Sequence, residues 1–433
     1  MPWRQLCLLL TLMSFAGLAV GVPESVTFHK DIEPVLQNHC QGCHRPGEIG
    51  PMPLLTYENV RPWAKALKEA VLTRKMPPWF ADSTVQHYRN DASLSSADIE
   101  RLASWVDAGA PEGDPKDGPA ARAFVEGWSI GQPDLIVEMP QTYQIPAKGT
   151  IEYTYVILPT HFTEDRWVIA AEIRPGNRAV MHHAALHVRP PGSKWLREYP
   201  NGVPFVPAQG GSGNELRPSD EWLTNYAPGR PAYALPASTA FLVKAGSDFV
   251  LQFHYTTNGT ATSDRSKIGL IFAKTPPGKR AFIASVANNR FVIPPGNPNY
   301  QADAVVTLAS DAVLLSAGPH MHLRGKAMEI RATYPDGRAE TLLRVPHYDF
   351  SWQLLYEFEP KSAPRGTRFE VTGTWDNSEN NRFNPDPKSE VRWGDQSWEE
   401  MLLAWITLQI DPNTDVDQLM QRVTPRTSTN AAR

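Results

Sequence analysis

The stretch from about Gly131 to Pro412 constrains the fold most, because it is built from short segments of alternating polar and apolar residues cut by turn signals. Examples are "IEYTYVIL", "RWVIAAEI", "AVMHHAALHV", "DFVLQFHYTT", "AVLLSAG", "RFEVTGTW" and "LLAWITLQI". No helical period separates these segments, which argues for antiparallel sandwiches and against a parallel sheet with crossover helices. The 40 prolines point the same way, since proline suits short strands and loops better than long helices. About 280 residues is large for one sandwich. Two all-β, jelly-roll-like antiparallel sandwiches are therefore expected, 131–293 and 294–412, dividing near Pro294 to Pro298 and followed by a polar tail, 413–433. No close internal repeat relates them.

Residues 1–21 read as an export signal. Arg4 supplies the short positive region, "LCLLLTLMSFAGLAV" the apolar core, and Ala19-Val20-Gly21 the small residues for cleavage. The mature chain is expected to begin near Val22 and to be periplasmic or secreted. No other stretch is apolar enough to span a membrane. A formal charge of -4 with a pI near 6.3 leaves no basic surplus, which excludes nucleic acid as a partner.

Of the 3 cysteines, Cys7 would leave with the signal, so Cys40 and Cys43 alone remain. In Cys40-Gln41-Gly42-Cys43-His44 two thiols can add to the vinyl groups of a haem while the next residue places an imidazole on the iron. A thioredoxin-like pair has no need of His44, and a zinc site needs a second cysteine pair that this chain lacks. Helical spacing surrounds the motif: Ile32, Val35 and Leu36 before it, Val60, Trp63, Leu67 and Val71 after it. A further helix opens at Leu94 with a capping box of Ser95 and Asp98, carries Ile99, Leu102 and Val106 on one face, and stops at Gly109. This order resembles class I cytochrome c over 23–109. The resemblance implies one covalent haem c held by Cys40, Cys43 and His44, with Met76 in "KMPPW" as sixth ligand and Met52 in "GPMPL" as its rival. Residues 110–130, rich in proline, glycine and charge, read as a linker.

Histidines cluster on the expected strands. His182 and His183 are adjacent, His254 ends "LQFHY", and His320 and His322 stand two apart in "GPHMHLRGK". Alternate residues of a strand share a face, so His320 and His322 can reach one metal. His182 and His183 should point apart. For both to reach one ion, the strand must bend or one ring must bind through its other nitrogen. Imidazoles suit copper, zinc or iron, and a thioether such as Met401 argues for Cu(I).

"MHH", "LQFHY", "HMHLRGK" and "EEM", in this order, resemble the copper type II ascorbate-dependent monooxygenases, the family of peptidylglycine hydroxylating monooxygenase and dopamine β-monooxygenase. Carried over by position, the resemblance implies two coppers. His182, His183 and His254 would hold an electron-transfer copper in the first sandwich, and His320, His322 and Met401 an oxygen-activating copper in the second. Gln252 matches a position the family places between the metals. His187 shares a face with His183 and reads as a hydrogen-bonded histidine.

Three positions depart from the peptide-processing members. Gly318 stands where they carry an arginine that anchors a substrate carboxylate, and Leu403 and Trp405 replace an asparagine and a tyrosine. A carboxylate would be left unpaired there, so a small apolar or aromatic substrate is expected. The whole chain then reads as an exported haem- and copper-dependent monooxygenase that inserts oxygen from O2 into a C–H bond. Electrons would enter through the haem from ascorbate or a redox protein. The alternative is a non-catalytic periplasmic electron-transfer or copper-binding protein; a carrier has no need of Met401 at an open site.

Overall fold

Amphipathic spacing builds a small helical unit at the N-terminal end of the computed structural model, which describes residues 25–208, 221–228 and 232–423. The expected signal, 1–21, and residues 424–433 of the expected tail lie outside the described residues. A π-helical turn, Phe28–Ile32, runs into α1 (Glu33–His39), followed by α2 (Tyr57–Val60), α3 (Ala64–Leu72) and α4 (Ser96–Asp107). Half of the expected capping box forms: Asp98 N–H donates to Ser95 Oγ at 3.1 Å, while the Asp98 carboxylate accepts from the Ser95 hydroxyl at 2.7 Å in place of the Ser95 backbone N–H. Ile99, Leu102 and Trp105 close a core with Phe28, Leu36, Leu67 and Val71. Trp105 takes the fully buried place expected of Val106, which only borders the core; its indole Nε1 donates to the Pro111 carbonyl at 2.9 Å.

The rest of the described chain is strands. The first group comprises β1 (Leu135–Glu138), β2 (Tyr143–Ile145), β3 (Thr154–Pro159), β4 (Arg166–Arg174), β5 (Met181–Arg189), β6 (Glu221–Tyr226), β7 (Thr239–Val243), β8 (Asp248–Tyr255), β9 (Thr262–Asp264) and β10 (Lys267–Phe272). The second comprises β11 (Lys279–Asn288), β12 (Val292–Ile293), β13 (Tyr300–Leu308), β14 (Ala312–His320), β15 (Gly325–Thr333), β16 (Ala339–Val345), β17 (Tyr356–Ala363), β18 (Arg368–Trp375), β19 (Val391–Arg392), β20 (Leu402–Ile410) and β21 (Met420–Val423). One sheet, in the order β1-β10-β4-β7-β11-β20-β14-β17, runs through both groups. Its first half packs on β3-β8-β5-β6 and its second on β16-β15-β18-β13-β21, each over its own apolar core. The seam is a short parallel contact, Lys279 with Thr239 and Arg280 with Ala240.

Two expected boundaries move. The division near 293–294 falls instead before Lys279, because β11 pairs with β20 along its whole length, from Arg280 opposite Ile410 to Asn288 opposite Leu402. The prolines at 294 and 295 mark a turn inside the second sandwich. The tail expected from 413 begins later, since Leu419 is fully buried and β21 pairs with β13.

The segment between α3 and α4 leaves the helical unit and crosses the open side of the second sandwich. Asp82 N–H donates to the Arg344 carbonyl on β16 at 2.8 Å, and Arg89 N–H to the Glu357 carbonyl on β17 at 2.9 Å. Tyr88 is 1% exposed and belongs to the second sandwich's core, where its ring meets Trp79, Tyr356 and Phe358. Two edge strands are covered by this strap.

The expected linker, 110–130, is tied at both ends. Phe28 and His29 donate to the carbonyls of Pro111 and Glu112, while Glu172 on β4 accepts from Ser129 N–H at 2.6 Å and Ile130 N–H at 3.2 Å. Glu48, just after the cysteine pair, also binds Arg178 at 2.5 Å. We expect Tyr88→Ala to destabilise the second sandwich by about 3 kcal/mol or more, the range for truncating a buried aromatic. Glu48→Ala should cost under about 1 kcal/mol. Urea unfolding followed by far-UV and near-UV signals measures both.

Candidate metal centre

Strand alternation separates core from site. On β5, Ala184, Leu186 and Val188 enter the first core, leaving His183 and His187 on the opposite face; on β8, Phe249, Leu251, Phe253 and Tyr255 do the same, leaving Gln252 and His254. On β20, Leu402, Ala404 and Ile406 enter the second core, leaving Leu403 and Trp405. These two outward faces meet across a cleft. Trp222 on β6 lies 4.3 Å from Trp405 on β20, centroid to centroid.

The problem of two adjacent histidines is solved in the backbone. Met181 pairs with Tyr255 and His183 with His254, so β5 spends one residue more than β8 and His182 is the extra one. This bulge turns the side chain of His182 back towards His183. Their Nδ1 atoms come within 3.1 Å, and one ligand nitrogen each from His182, His183 and His254 lies within 4.8 Å of the others. Three imidazoles so gathered can take one ion.

His320 ends β14, and His322 follows in the loop, their rings 5.2 Å apart. Each is held by Nδ1. His320 Nδ1 meets Gln353 Oε1 at 2.7 Å, and His322 Nδ1 meets the Glu399 carbonyl at 3.2 Å. With the proton on Nδ1 in both rings, both Nε2 lone pairs are free, and His322 Nε2 is buried with no hydrogen-bond partner. Met401 precedes β20 and lines the same cleft. His320 pairs with Leu403, the last pair of that ladder, and Met401 stands two residues before it on the chain.

Glu400 braces this corner. It is fully buried and accepts from His322 N–H at 2.8 Å, Arg324 N–H at 2.6 Å and Trp375 Nε1 at 2.9 Å. Burial pushes its carboxyl up to about 7, against the pull of the two backbone donors.

One tyrosine spans both clusters. Tyr153 stacks on His254 at 4.5 Å and touches His183 at 5.2 Å and His322 at 6.2 Å. Phe350 also contacts both, at 5.4 Å from His182 and 5.9 Å from His322. The clusters therefore face each other across about one ring's thickness of protein. His183, Gln252, His320, His322 and Met401 all line one narrow cleft, with a volume of about 60 Å³. Gln252 donates there to the Tyr155 hydroxyl. Burial lowers His182 and His320 to about 4 and His254 to about 3, so the rings are neutral and able to donate lone pairs at neutral pH.

The cysteine pair lies in the helical unit as free thiols, half-buried. His44 Nδ1 meets the Met52 carbonyl at 3.2 Å, which leaves Nε2 as the lone-pair nitrogen. That contact uses the backbone of Met52. Met76 sits beyond α3, after the turn that Arg74 makes with positive φ. His187 is buried with its ring edge-on to Trp195 and Trp222 and its Nδ1 unpartnered, in place of the hydrogen-bonded histidine expected.

No family model and no curated protein matches this chain. Among solved structures it is similar to one of infectious bursal disease virus, Gx strain, at 10% identity over 68% of this chain and 78% of that one, with a TM-score of 0.19. The stem and receptor binding domain of spike protein P1 from bacteriophage PM2 is 8% identical, over 61% of this chain and 99% of that one, with a TM-score of 0.16. Likeness at that level carries no argument. Among the described residues no helix is long and apolar enough to cross a membrane.

His187 gives a clean pH prediction for the metal-free protein. Burial holds it at about 3 when folded, below its ordinary 6.5, so the unfolded chain binds a proton between those limits that the folded chain does not. Its contribution is complete above pH 6.5 and is lost as pH falls through the window, by about 1.4 kcal/mol per pH unit. His187→Phe should flatten the stability profile between pH 6 and 4 by about that slope, measured by urea unfolding. An unchanged slope would show that the folded ring takes up the proton.

Proposed function

We propose that this chain is an exported copper-dependent monooxygenase with a c-type haem, acting on a C–H bond of a small apolar or aromatic substrate with O2. The observation that carries the reading is that His183, Gln252, His320, His322 and Met401, on four separate segments, line one cleft with His182 and His254 packed beside them. Bound copper would supply one-electron storage at each cluster and oxygen chemistry at the second, and a haem would supply electrons singly.

The residues fit those groups. The His182–His183–His254 set offers three neutral nitrogens, a donor set that suits both copper states. At the second cluster Gln353 and the Glu399 carbonyl orient the imidazoles, Glu400 fixes the loop, and Met401 adds a soft sulfur. Cys40, Cys43 and His44 would hold the haem. Met76, with Met52 as its rival, would supply the sixth ligand. Arg178, ion-paired to the loop after His44, stands four residues before His182, which favours electron entry at the first cluster. External electrons would come from ascorbate or a redox protein.

His182→Ala or His254→Ala should lose about one copper per chain, whereas Met401→Leu should keep most copper and lose O2 consumption. Metal analysis with an oxygen electrode reads both. Unchanged O2 consumption in Met401→Leu would turn the reading towards a non-catalytic electron-transfer or copper-binding protein. Haem entry is tested by stopped flow: pre-reduced haem should oxidise on addition of Cu(II) without ascorbate. Haem that stays reduced while ascorbate alone sustains turnover would remove it from the route.

A further inference from the structure

The strap between α3 and α4 reaches further than the edge strands it covers. β16 ends at Val345 and β17 begins at Tyr356, and the loop between them, 346–355, lies against both histidine clusters. Phe350 meets His182 and His322, and Gln353 holds His320 Nδ1 at 2.7 Å. Tyr348 Oη clamps Met321, between His320 and His322, donating to its carbonyl at 2.8 Å and accepting from its N–H at 3.1 Å. The strap grips both stems of this loop. Asp82 N–H and Tyr88 Oη donate to the carbonyls of Arg344 and Leu342 on β16, ahead of the loop. Asn90 holds the other stem: its Nδ2 donates to the Leu355 carbonyl at 2.8 Å, and its Oδ1 accepts from Glu357 N–H at 2.9 Å.

That second grip falls where the sheet stops helping. The ladder between β14 and β17 ends with Ala317 opposite Tyr356, and Pro319, just before His320, has no N–H with which to carry it on. Leu354 and Leu355 still lie close to Gly318, at 3.3 and 3.4 Å from where a Cβ on it would stand, but no ladder pair holds them to β14. Asn90 supplies the missing bond. Its carboxamide engages residues 355 and 357 as the peptide of a parallel neighbouring strand would. A carboxamide puts a donor and an acceptor on one short stem, whereas a carboxylate keeps the acceptor and loses the donor. Leu355 is two residues from Gln353, and Gln353 is the partner that sets the proton on His320 Nδ1 and leaves the lone pair on Nε2.

We infer that Asn90 is a positioning residue for the second cluster: it fixes Leu355, and through Leu355 the Gln353 side chain that orients His320. A residue of the strap, outside both sandwiches, is then a working part of the metal centre that lies between them. The positional claim stands on these hydrogen bonds alone. That the oriented ring takes copper rests on the oxygenase reading.

Proton NMR of the metal-free full chain tests the position. The His320 Nδ1 proton, buried against Gln353, should give a slowly exchanging imidazole signal, assigned by its loss in His320→Gln. In Asn90→Ala its exchange should quicken at least about 3-fold, the scale for a residue that acts through a neighbour. Asn90→Asp keeps the Glu357 bond, the milder change for the strap, and should quicken it as well. Competition with a Cu(I) chelator, in a His182→Ala background that leaves copper to the second cluster, tests the consequence. Asn90→Ala should weaken that copper by about 3- to 10-fold and Gln353→Ala by at least about 10-fold, and the two together by no more than Gln353→Ala alone. Unchanged exchange in either Asn90 variant, or full additivity in the double variant, would overturn the inference and leave Asn90 as a cover for the sheet edge. Quickened exchange in a chain that takes no copper keeps the positioning and discards the metal reading.

Discussion

The pairing of β11 with β20 is the constraint on which the rest depends. It fastens the last long strand of the second sandwich to the strand that meets β7 of the first at the parallel seam, and so lets one eight-stranded sheet run through both. Because β20 is held from Leu402 to Ile410, its outward residues are presented at a set distance from β5, β6 and β8. Two sandwiches joined only by a loop would leave the gap between the histidine clusters free to vary. Here the gap is fixed by backbone hydrogen bonds, and a few rings fill it.

The cleft is apolar in its walls and polar only at points, and that contrast explains the state of its side chains. Histidines that would be half-charged in water near pH 6.5 are neutral here because nothing nearby repays the loss of hydration. Beside His322, the fully buried carboxyl of Glu400 is tolerated because three donors converge on it. Position, not charge, is what it contributes. It ties the loop after His320 to Trp375 in the core, so the imidazole of His322 inherits the rigidity of the second sandwich.

Much of this was legible in the sequence. Alternation on "AVMHHAALHV" and "DFVLQFHYTT" located the strands and the outward histidines, and of the two ways in which adjacent His182 and His183 could reach one ion, a bent strand or the other ring nitrogen, the fold shows the bend. The N-cap at Ser95 was equally plain. What stayed hidden was set by contacts between distant residues. The partner of β11 lies at the far end of the chain, so a proline pair nearby was the stronger local signal for a boundary. Tyr153, Phe350 and Gln353 carry no pattern of their own; they matter because of what the fold sets beside them. His187 was placed on the correct face, yet its two tryptophan neighbours come from separate segments and no spacing announces them.

The strap around Tyr88 has a consequence for the order in which the chain acquires its structure. Gln86 reaches a carbonyl 256 positions further along, and Tyr88 inserts into a core built from strands made after it. The helical unit can condense from local contacts, which form early and quickly. Its strap cannot, since β16 and β17 must first exist to receive it. A chain emerging from its N-terminal end therefore carries Trp79 and Tyr88 without their final partners until the second sandwich closes.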